Sequence, residues 1–487
     1  MTLIQPATTR WVNESGRAAP ESVLLSASEW AAHAFAGVDL GDRRRNKRAM
    51  EIGTKMAAHP EFSLPQQMAD PNALHAAYGV LNCPAVTLEK LVAPHAAQTL
   101  AAARREPLVL FVEDTSELDF TAHPQTRGLG PIGDGKGRGL LLHSTLAVRP
   151  DTRQVLGLAH VQVVLRQPAP SKHSHWTRSP EAQLWEHSAQ AVGGPPAGVS
   201  WVHVSDRGSD IFEYMAACRD LGKDFLVRAF HDRVLAAAAV ADAEESVRHL
   251  LASTRSLPPV PGAGYTVPIP AHAVKGKKKP AREATVVLAW ARITLPAPAQ
   301  APPPLSAHSP LVVWVLRVWE PAPPPDVEPV EWILLCSVPI QTVAEAYRTV
   351  DWYTCRWLCE DYHQCLKTGC RIEATQLDEG ADIGRLLGFA TPIAVRLLQL
   401  RQTARHTPDL PAVAVVDPVL VETLARRQHL SVATLSLADF WRAVARLGGH
   451  QGRRRDGPPG WHTLWKGWRY LSDLAEGAHL FLPIAAP

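Results

Sequence analysis

Apolar positions between residues 28 and 91 recur at helical spacing, and polar residues interrupt them where helices commonly begin. Ser26 or Ser28 is a candidate N-cap for the first helix, and Asp42 precedes the helical segment RRRNKRAMEIGTKMAAH. The pattern predicts three or four short helices, preceded by a loose tail over residues 1–20.

The pattern changes over residues 107–166, which contain three short segments rich in Val and Leu: EPLVLFVEDTSELDF, GLLLHSTLAVRP and RQVLGLAHVQVVLR. Turns that contain Gly or Pro separate these segments, so they predict three consecutive strands in an antiparallel meander. A helical pattern follows at about 179–193, and then a strand, a helix and a strand in VSWVHVSD, IFEYMAACRDL and DFLVRAF. Three strands followed by alternating helices and strands predict a mixed α/β sheet.

Proline clusters interrupt residues 257–329, but the segments between them, YTVPIP, EATVVLAWARITL and LVVWVLRVWE, are typical of strands. We interpret this region as a β-rich insertion with long loops, and the chain is mostly helical after Val343. The sequence therefore predicts a helical domain over 1–95, an α/β core over 96–372 with the insertion at about 231–340, and a helical C-terminal domain over 373–487.

With 46% hydrophobic residues among 487, the chain can bury a substantial core. No stretch reaches ~18 uncharged apolar residues, so the sequence favours a soluble protein. The best membrane candidate, IGRLLGFATPIAVRLLQL, contains Arg385, Pro392 and Arg396 and so predicts a core helix. The N-terminus has no basic-then-apolar signal sequence. We expect a cytoplasmic protein without membrane contact, whose seven cysteines stay reduced and form no disulfide framework.

The net charge of +3 neither supports nor excludes a nucleic-acid partner, but the charge is concentrated in places. The segment RRRNKR holds five cations in six positions: Arg43, Arg44, Arg45, Lys47 and Arg48. Such a run either binds a phosphate backbone or forms a solvated surface. Short helices with one basic edge are of the DNA-binding kind, so these five residues are candidate DNA contacts.

Three acidic residues are candidates for catalysis because of where they lie in the pattern. Asp114 ends the strand LVLFVED, Asp206 ends the strand WVHVSD, and Glu360 lies in the helical segment YTCRWLCEDYHQCLKTGC. Two acids at strand ends and one on a helix can converge, and carboxylate oxygens are the ligands that Mg²⁺ or Mn²⁺ prefers. A metal pair about 3.5–4 Å apart can activate an attacking oxygen and stabilise a leaving one. The alternative is that the aspartates are ordinary turn residues.

One face of that helix concentrates polar chemistry. With a straight helix, Tyr353, Arg356, Glu360 and Lys367 fall within one sector of about 60°. Arg, Lys and Tyr can hold phosphates, and the carboxylate can bind a metal. The alternative to phosphate and metal binding is that this helix face is exposed to solvent and carries an Arg356–Glu360 ion pair. The same geometry places Cys355, Cys359 and Cys370 on the side of the helix away from this polar face, so we expect these three thiols to be buried. Cys365 lies between the two sides.

The segment YTCRWLCEDYHQCLKTG resembles the Tyr-Arg-Glu-Lys signature of bacterial cut-and-paste DDE transposases of the insertion-sequence-four group. The spacings of two, three and six residues between the four signature positions all match. Further segments resemble that family in the same order, among them LGDRRRNKR, VEDTSELDF, GRGLLLHSTL, SDRGSDI, FLVR, VEWILLCSVP, ARLGGH and GWHTLWKGW. The resemblance covers most of the chain.

The resemblance implies an RNase H-like fold in which Asp114, Asp206 and Glu360 are catalytic and bind two Mg²⁺ or Mn²⁺ ions. It also implies phosphoryl-transfer steps at each transposon end: nicking by water, hairpin formation by the freed 3′-OH, hairpin opening, and strand transfer to target DNA. None of these steps requires a covalent enzyme intermediate.

Further DNA contacts follow from the resemblance. Tyr353, Arg356 and Lys367 match residues that grip phosphates near the cleavage site. Trp332 matches a tryptophan that stacks on a flipped base, unless it is a core residue of its strand. Arg228 matches another DNA-contacting arginine, with His231 and Arg233 as weaker candidates.

The resemblance further implies that the N-terminal helices bind terminal inverted repeats. The chain would work as a homodimer in a synaptic complex on double-stranded DNA. In GWHTLWKGWRYLSDL, Trp461, Leu464, Trp465, Trp468 and Leu471 form one helix face, which is either core or the dimer contact.

Other acids and other functions remain alternatives. Strand alternation turns Glu113 away from Asp114, and Asp361 faces away from Glu360 on the helix, so both are excluded, while Asp210 stays open. A zinc-stabilised DNA-binding regulator built on the cysteines, or a catalytically inactive relative that inhibits transposition, would bind DNA without cutting it.

Overall fold

The computed structural model describes residues 26–166, 180–236, 249–269, 272–274, 277–298, 309–325, 327–453 and 459–481. The tail expected over residues 1–20 lies outside these ranges.

Short helices fill the N-terminal part of the described chain: α1 (Ala27–Ala34), α2 (Arg43–Ala58), α3 (Leu64–Met68), α4 (Pro71–Leu81) and α5 (Leu88–Ala103). Ser26 caps α1 in a capping box with Glu29, and the Asp42 carboxylate accepts hydrogen bonds from the first free backbone amides of α2. Both helix starts were predicted from the sequence. Apolar residues such as Trp30, Ile52 and Leu91 face the common core.

The first strands form the meander that the sequence predicts. These are β1 (Leu108–Asp119), β2 (Gly130–Ile132), β3 (Gly137–Arg149) and β4 (Gln154–Val164), and β3 pairs antiparallel with β1, β2 and β4. After α6 (Pro180–Val192), β5 (Ser200–Ser205) pairs in parallel with β1. After α7 (Phe212–Asp220), β6 (Asp224–Arg228) pairs in parallel with β5. This order, β4–β3–β1–β5–β6 with helices against it, confirms a mixed α/β core of the RNase H-like class.

The β-rich insertion joins the same sheet. Four of its strands extend the sheet beyond β6 in the order β12–β11–β10–β7. Their bounds are β7 (Gly264–Ile269), β10 (Arg282–Leu295), β11 (Leu311–Trp319) and β12 (Glu331–Cys336), with α8 (Leu250–Arg255) before them and a small hairpin of β8 (His272–Val274) and β9 (Lys277–Lys279) between them. Leu334 of β12 pairs with Arg228 of β6, so the insertion and the core are hydrogen-bonded to each other.

The last part of the chain is helical, as the sequence predicts after Val343. The helices are α9 (Val343–Thr354), α10 (Trp357–Gln364), α11 (Gly380–His406), α12 (Pro418–Gln428), α13 (Leu437–Leu447) and α14 (Trp461–Phe481). The prediction of one straight helix from Tyr353 to Cys370 was wrong. The helix breaks between Thr354 and Trp357, and a π-helical turn, Cys365–Gly369, follows α10.

One stretch of α11, Gly380–Gln402, is long and apolar enough to cross a membrane by length and composition. Most of it is buried inside the protein, where it packs on α5 and β4. Arg385 donates hydrogen bonds to the carbonyls of Leu81 and Val86, and so fixes the first turns of α11 to the N-terminal helices. The burial agrees with the prediction of a core helix.

The apolar face of α14 is also internal. Leu464, Trp465, Trp468 and Leu471 are buried, and the Trp468 ring stacks on Trp441 of α13 at a centroid distance of 5.3 Å. The side chain of Trp461 lies outside the description. Of the two alternatives for this face, the structure shows the core packing.

Candidate active site

The candidate site lies at the C-terminal end of β1, which extends further than the neighbouring strand β5. The last parallel pair between β1 and β5 is Val112 with Val204, and β1 continues to Asp119. Asp114 therefore sits just beyond the point where β5 ends and the chain turns at Asp206. A cleft of about 1030 Å³ opens there, and its lining includes Asp114, Thr115, Glu117, Trp185, Asp206 and Lys367.

Glu360 does not line this cleft, but it lies near Asp114 because α10 packs directly on β1. The buried Cys359 thiol donates a hydrogen bond to the carbonyl oxygen of Val112 at 3.1 Å. This contact places the next residue of the helix, Glu360, opposite Asp114. The structure thus brings together two carboxylates that lie far apart in the sequence, as the candidate site requires.

Arg356 connects the two carboxylates. Its Nη1 lies 2.7 Å from Asp114 Oδ2, and its Nη2 lies 2.9 Å from Glu360 Oε1. The residue is only 4% exposed and occupies the break between α9 and α10. The predicted Arg356–Glu360 pair is present, but it is part of a buried bridge to Asp114 and does not lie on an exposed face.

The three acids share one electrostatic environment. Burial raises the pKa of Asp114 to about 7; the ion pair with Arg356 opposes this change, and the carboxylates of Asp206 and Glu360 add to it. Burial likewise raises the pKa of Glu360, against the lowering effect of Arg356. Asp206 caps the short turn Arg207–Ser209, and its Oδ1 accepts a hydrogen bond from the Gly208 amide at 2.8 Å. Mutual repulsion of neighbouring, partly buried carboxylates favours a cation among them.

The three acids are of the right chemical type for a hard divalent cation, because Mg²⁺ and Mn²⁺ prefer carboxylate oxygens as ligands. Across the described ranges, however, no three His, Cys, Asp or Glu side chains are grouped so that they could hold a metal ion. At the cleft the positive charge between Asp114 and Glu360 is supplied by the Arg356 guanidinium. A cation bound by these acids would compete with that guanidinium.

Three more predicted residues lie beside Arg356. The Tyr353 hydroxyl is influenced by the guanidinium groups of both Arg356 and Arg228, which lower its pKa against the larger raising effect of burial. Arg228 ends β6 and donates to the carbonyl oxygen of Glu331 at 3.0 Å. Trp332 follows on β12, 7% exposed, with its ring edge-on to Tyr353 at 5.1 Å. Tyr353, Arg356, Arg228 and Trp332 therefore form one continuous cluster.

Lys367 enters the cleft from the other direction. It lies on the π-helical turn after α10, and its Nζ donates to the Glu117 carbonyl oxygen at 2.5 Å and lies 3.3 Å from Glu373 Oε1. Arg166, which the sequence reasoning missed, also lines the cleft and pairs with Glu117 and Glu181. No sequence pattern marked Arg166, which lies two residues after the end of β4.

The neighbouring acids have structural partners. Glu113 is fully buried on the opposite side of β1 from Asp114, in contact with His143 and His203, as alternation predicts. Asp361 pairs with Arg401 of α11 at 3.2 Å.

Asp210, which the sequence left open, accepts hydrogen bonds from the amides of Phe230 and His231 and from the Arg233 side chain. It fixes the loop after β6 and does not face the cleft. His231 and Arg233, the weaker DNA candidates, belong to this anchored loop.

The cysteines of the signature segment do not form a cluster. Cys355 and Cys359 are buried and donate to the separate carbonyls of Asp351 and Val112, and burial raises the pKa of Cys355 to about 11. Cys365, at the start of the π-helical turn, is also buried. Protonated, separated thiols do not suit a zinc site.

The basic segment opens α2. Arg43, Arg44 and Lys47 are exposed. Arg45 is half-buried and donates to the Leu40 carbonyl oxygen at 2.5 Å, and Arg48 pairs with Glu51 at 2.7 Å. Three of the five predicted contacts are therefore free to reach a ligand, and two already have partners within the helical domain.

Residues 27–86 match the family model described as transposase DNA-binding. The match runs from α1 to the loop after α4 and includes the basic start of α2. It supports a transposase role at DNA, and it places the exposed cations in the part of the chain that the family associates with DNA. The cleft, the carboxylates and the helix α10 lie outside the matched residues.

Proposed function

We propose that the chain is a cut-and-paste DNA transposase that cleaves and transfers DNA strands by metal-dependent phosphoryl transfer. The matched DNA-binding segment supports a role at DNA. The observation that supports the catalytic part is the Arg356 bridge between Asp114 and Glu360, with Asp206 lining the same cleft as Asp114 and interacting electrostatically with it. Neighbouring, partly buried acids with a raised pKa beside an open cleft are typical of a functional site.

Asp114, Asp206 and Glu360 are the residues that would hold two Mg²⁺ or Mn²⁺ ions. Bound at such a site, divalent ions lower the pKa of water and stabilise the charge that develops on phosphoryl oxygens. The chain positions these carboxylates rigidly, because two of them lie on or beside the central strands β1 and β5 and the third lies on a helix pinned to β1.

Cationic and aromatic side chains around the acids would hold the DNA. Arg228, Arg356 and Lys367 offer guanidinium and ammonium donors to phosphates, and the Tyr353 hydroxyl adds a neutral donor. Trp332 would stack on a flipped base once Tyr353 no longer covers its edge, a contact worth ~1–3 kcal/mol. Nicking, hairpin formation, hairpin opening and strand transfer all need the same positioning of a phosphate against a hydroxyl.

The proposed partners are the terminal inverted repeats of a mobile element and its target DNA. The exposed cations of α2 would bind the repeats, and two copies of the chain would hold two ends together. Since the apolar face of α14 packs inside the chain, a dimer contact would use another surface. The proposed site of action is bacterial cytoplasmic DNA.

The test uses the full chain with duplexes that carry the inverted repeats found in the DNA flanking its gene. In Mg²⁺ the wild type should cut these duplexes, and Glu360→Gln should lose at least about a thousandfold of the cleavage rate because it removes a metal ligand. Binding of the duplex by Glu360→Gln should survive. Asp361→Asn is the matched control, since Asp361 is the next residue of α10 but faces Arg401.

Cleavage retained by Glu360→Gln would show that the site is assigned wrongly. A wild type that binds the repeats but does not cut them in Mg²⁺ or Mn²⁺ would support a non-catalytic regulator or inhibitor of transposition instead.

A further inference from the structure

The loop that follows β6 holds one large apolar side chain in solvent. Phe230 is 60% exposed, and its ring lies nearly perpendicular to that of His231 at a centroid distance of 5.2 Å. Single apolar residues are common on protein surfaces and by themselves indicate no ligand. Phe230 differs from such residues because its loop is anchored and lies beside the candidate site.

A buried carboxylate fixes the backbone of this loop. Asp210 is 1% exposed, and its Oδ2 accepts hydrogen bonds from the amides of Phe230 and His231 at 2.7 and 2.8 Å. The Arg233 side chain donates to Asp210 Oδ1 and to the Asp210 carbonyl oxygen, the latter at 2.6 Å. An aromatic ring on an anchored backbone loses little conformational freedom when a ligand packs on it. The loop therefore presents the Phe230 ring in a preorganised position.

The register of β6 against β12 brings this ring to the level of Trp332. The two strands pair antiparallel up to Arg228, and the Ala229 amide continues the pairing with a hydrogen bond to the Ile333 carbonyl oxygen at 2.8 Å. The next residues in this register are Phe230 on one side and Trp332 on the other. Phe230 thus lies at the edge of the cluster that contains Trp332 and Arg228.

The surroundings of the ring are positively charged. Arg228 lies two residues before Phe230, and burial lowers the pKa of Arg228. The nearby charge of the exposed Arg207 lowers that pKa further, so the two guanidinium groups are close enough to repel each other. A phosphate would relieve this repulsion and accept hydrogen bonds from both groups. Aromatic rings next to cations are the combination that binds unstacked nucleotides.

We propose that Phe230 is a substrate-contacting residue that stacks on an unpaired base of the bound DNA. This inference rests on the proposed function and adds a second aromatic contact beside the one proposed for Trp332. A base that leaves the duplex exposes both of its faces, and stacking on an aromatic ring stabilises it without regard to sequence. Asp210 acts as the positioning residue, since it holds the backbone on both sides of the ring.

The experiment measures the affinity of the full chain for a labelled inverted-repeat duplex by fluorescence anisotropy, without divalent cations so that no strand is cut. Phe230→Ala should bind about fivefold or more weakly, which is the loss expected for one stacked base. Phe230→Trp keeps an aromatic face and should stay within about threefold of the wild type, whereas Phe230→Leu should resemble Phe230→Ala. The slope of log affinity against log salt should be the same for all of them, because no phosphate contact is lost.

Val312→Ala is the matched control. Val312 is also an exposed apolar residue, but it lies towards the other end of β11 from Val318, the residue that pairs with Trp332. Its replacement should leave the affinity unchanged. Melting curves establish that each variant is folded at the assay temperature.

A series of duplexes with an abasic site at each terminal nucleotide in turn identifies the stacked base. Where the missing base is the one that Phe230 contacts, the wild type and Phe230→Ala should bind equally, because the ring has no base left to stack on. At the other positions the difference between the two proteins should persist.

A difference that persists at every abasic position would show that Phe230 contacts something other than a base, such as a second copy of the chain, and would overturn the inference. Equal affinities for Phe230→Ala and the wild type, or for Phe230→Leu and Phe230→Trp, would also overturn it. These outcomes leave the proposed function standing, since cleavage by the wild type and Glu360→Gln tests that separately. A wild type that does not bind the duplex would overturn the proposed function and the inference with it.

Discussion

Arg356 is buried and makes two ion pairs, which oppose the effect of burial on the pKa of Asp114. A guanidinium between two carboxylates satisfies both without any other ligand, which explains how Asp114 can be buried next to Glu360 at all. The same side chain is the candidate phosphate contact of the signature segment. Its two roles compete, since a guanidinium that binds phosphate must release part of its bridge.

Replacing Arg356 by Gln should increase the affinity for divalent cations. Without the guanidinium, Asp114 and Glu360 repel each other and a cation relieves the repulsion, so Mg²⁺ or Mn²⁺ should bind about tenfold or more tightly than to the wild type. Without metal the variant should be less stable by about 2–3 kcal/mol. Titration calorimetry with Mn²⁺ and melting curves with and without Mn²⁺ measure both effects.

Arg401→Gln serves as the control, because Arg401 pairs with Asp361 on the other side of α10. Equal Mn²⁺ affinities for Arg356→Gln and the wild type would show that Arg356 does not compete for the metal ligands.

The sequence indicated the acidic residues of the candidate site, but not the polar residues behind them. Asp114 and Asp206 could be found because each ends an apolar strand, and Glu360 because of the spacing of its helix. The Thr115–His143 contact depends on the register of β1 against β3, in which these two residues are opposite each other. Register is set by packing of the whole sheet, so no local pattern reveals it.

At the scale of elements, α2 places cations where its own dipole disfavours them. Arg43, Arg44 and Lys47 lie in the first turns of the helix, where each cation costs about 0.3–1 kcal/mol. The Asp42 carboxylate, bonded to the amides of Arg44 and Arg45, offsets part of this cost. In α2 the cations destabilise the helix N-terminus, and a bound anion would remove that effect. Such an arrangement is typical of a phosphate-binding surface.

The α2 cations should differ in their contribution to DNA binding. Each exposed cation that contacts a phosphate contributes about 0.9 to the slope of log affinity against log salt. Arg43→Gln, Arg44→Gln and Lys47→Gln should each reduce the slope by about that amount, while Arg45→Gln should reduce it less because Arg45 is held by the Leu40 carbonyl. Fluorescence anisotropy of a labelled inverted-repeat duplex over a KCl series measures the slopes. Equal slopes for all variants would place the DNA elsewhere.

Element types could be predicted from hydrophobic periodicity almost throughout, but helix continuity could not. The segment from Tyr353 to Cys370 contains no Pro and only one Gly, so nothing local predicts its break. Arg356 lies at that break because its side chain bonds to Asp114 on a distant strand. The π-helical turn that carries Lys367 similarly depends on tertiary contacts, including the close packing of Gly369 on Trp465.

At the scale of the whole molecule, the N-terminal helices and the C-terminal helix meet around a buried acid. Glu61 lies in the loop after α2, is 3% exposed, and is influenced by Ser472, Asp473 and Arg469 of α14. Burial raises the pKa of Glu61 to about 7, against the lowering effects of Ser472 and Arg469. The folded chain therefore keeps a proton on Glu61 that the unfolded chain releases at lower pH.

The stability of the folded protein should fall as the pH rises from 4.5 to about 7, the ordinary and the raised pKa of Glu61. Between pH 4.5, the ordinary value, and about 7, the folded state binds more protons at Glu61 than the unfolded state does. The free energy of unfolding should lose up to about 3 kcal/mol from this group over that range. Glu61→Gln should remove this part of the pH dependence and be the more stable protein at pH 8, as measured by denaturant unfolding at several pH values.

Glu422→Gln, on an exposed turn of α12, is the control and should keep the pH dependence of the wild type. If Glu61→Gln has the same pH profile as the wild type, Glu61 is ionised in the folded protein.

The residues of the candidate site lie far apart in the sequence, and this has a consequence for a chain that is still being synthesised. Arg356 lies 242 positions after Asp114, and the sheet is complete only once β12 has paired with β6. Domains near the N-terminus generally fold first on the ribosome. The helices that carry the basic surface are thus synthesised long before Glu360, so under the proposed function a growing chain would have its surface for DNA before its site for cutting it. Under the proposed function, an interrupted translation product that stops ahead of α10 and still folds its N-terminal helices would compete with the full-length protein for DNA ends.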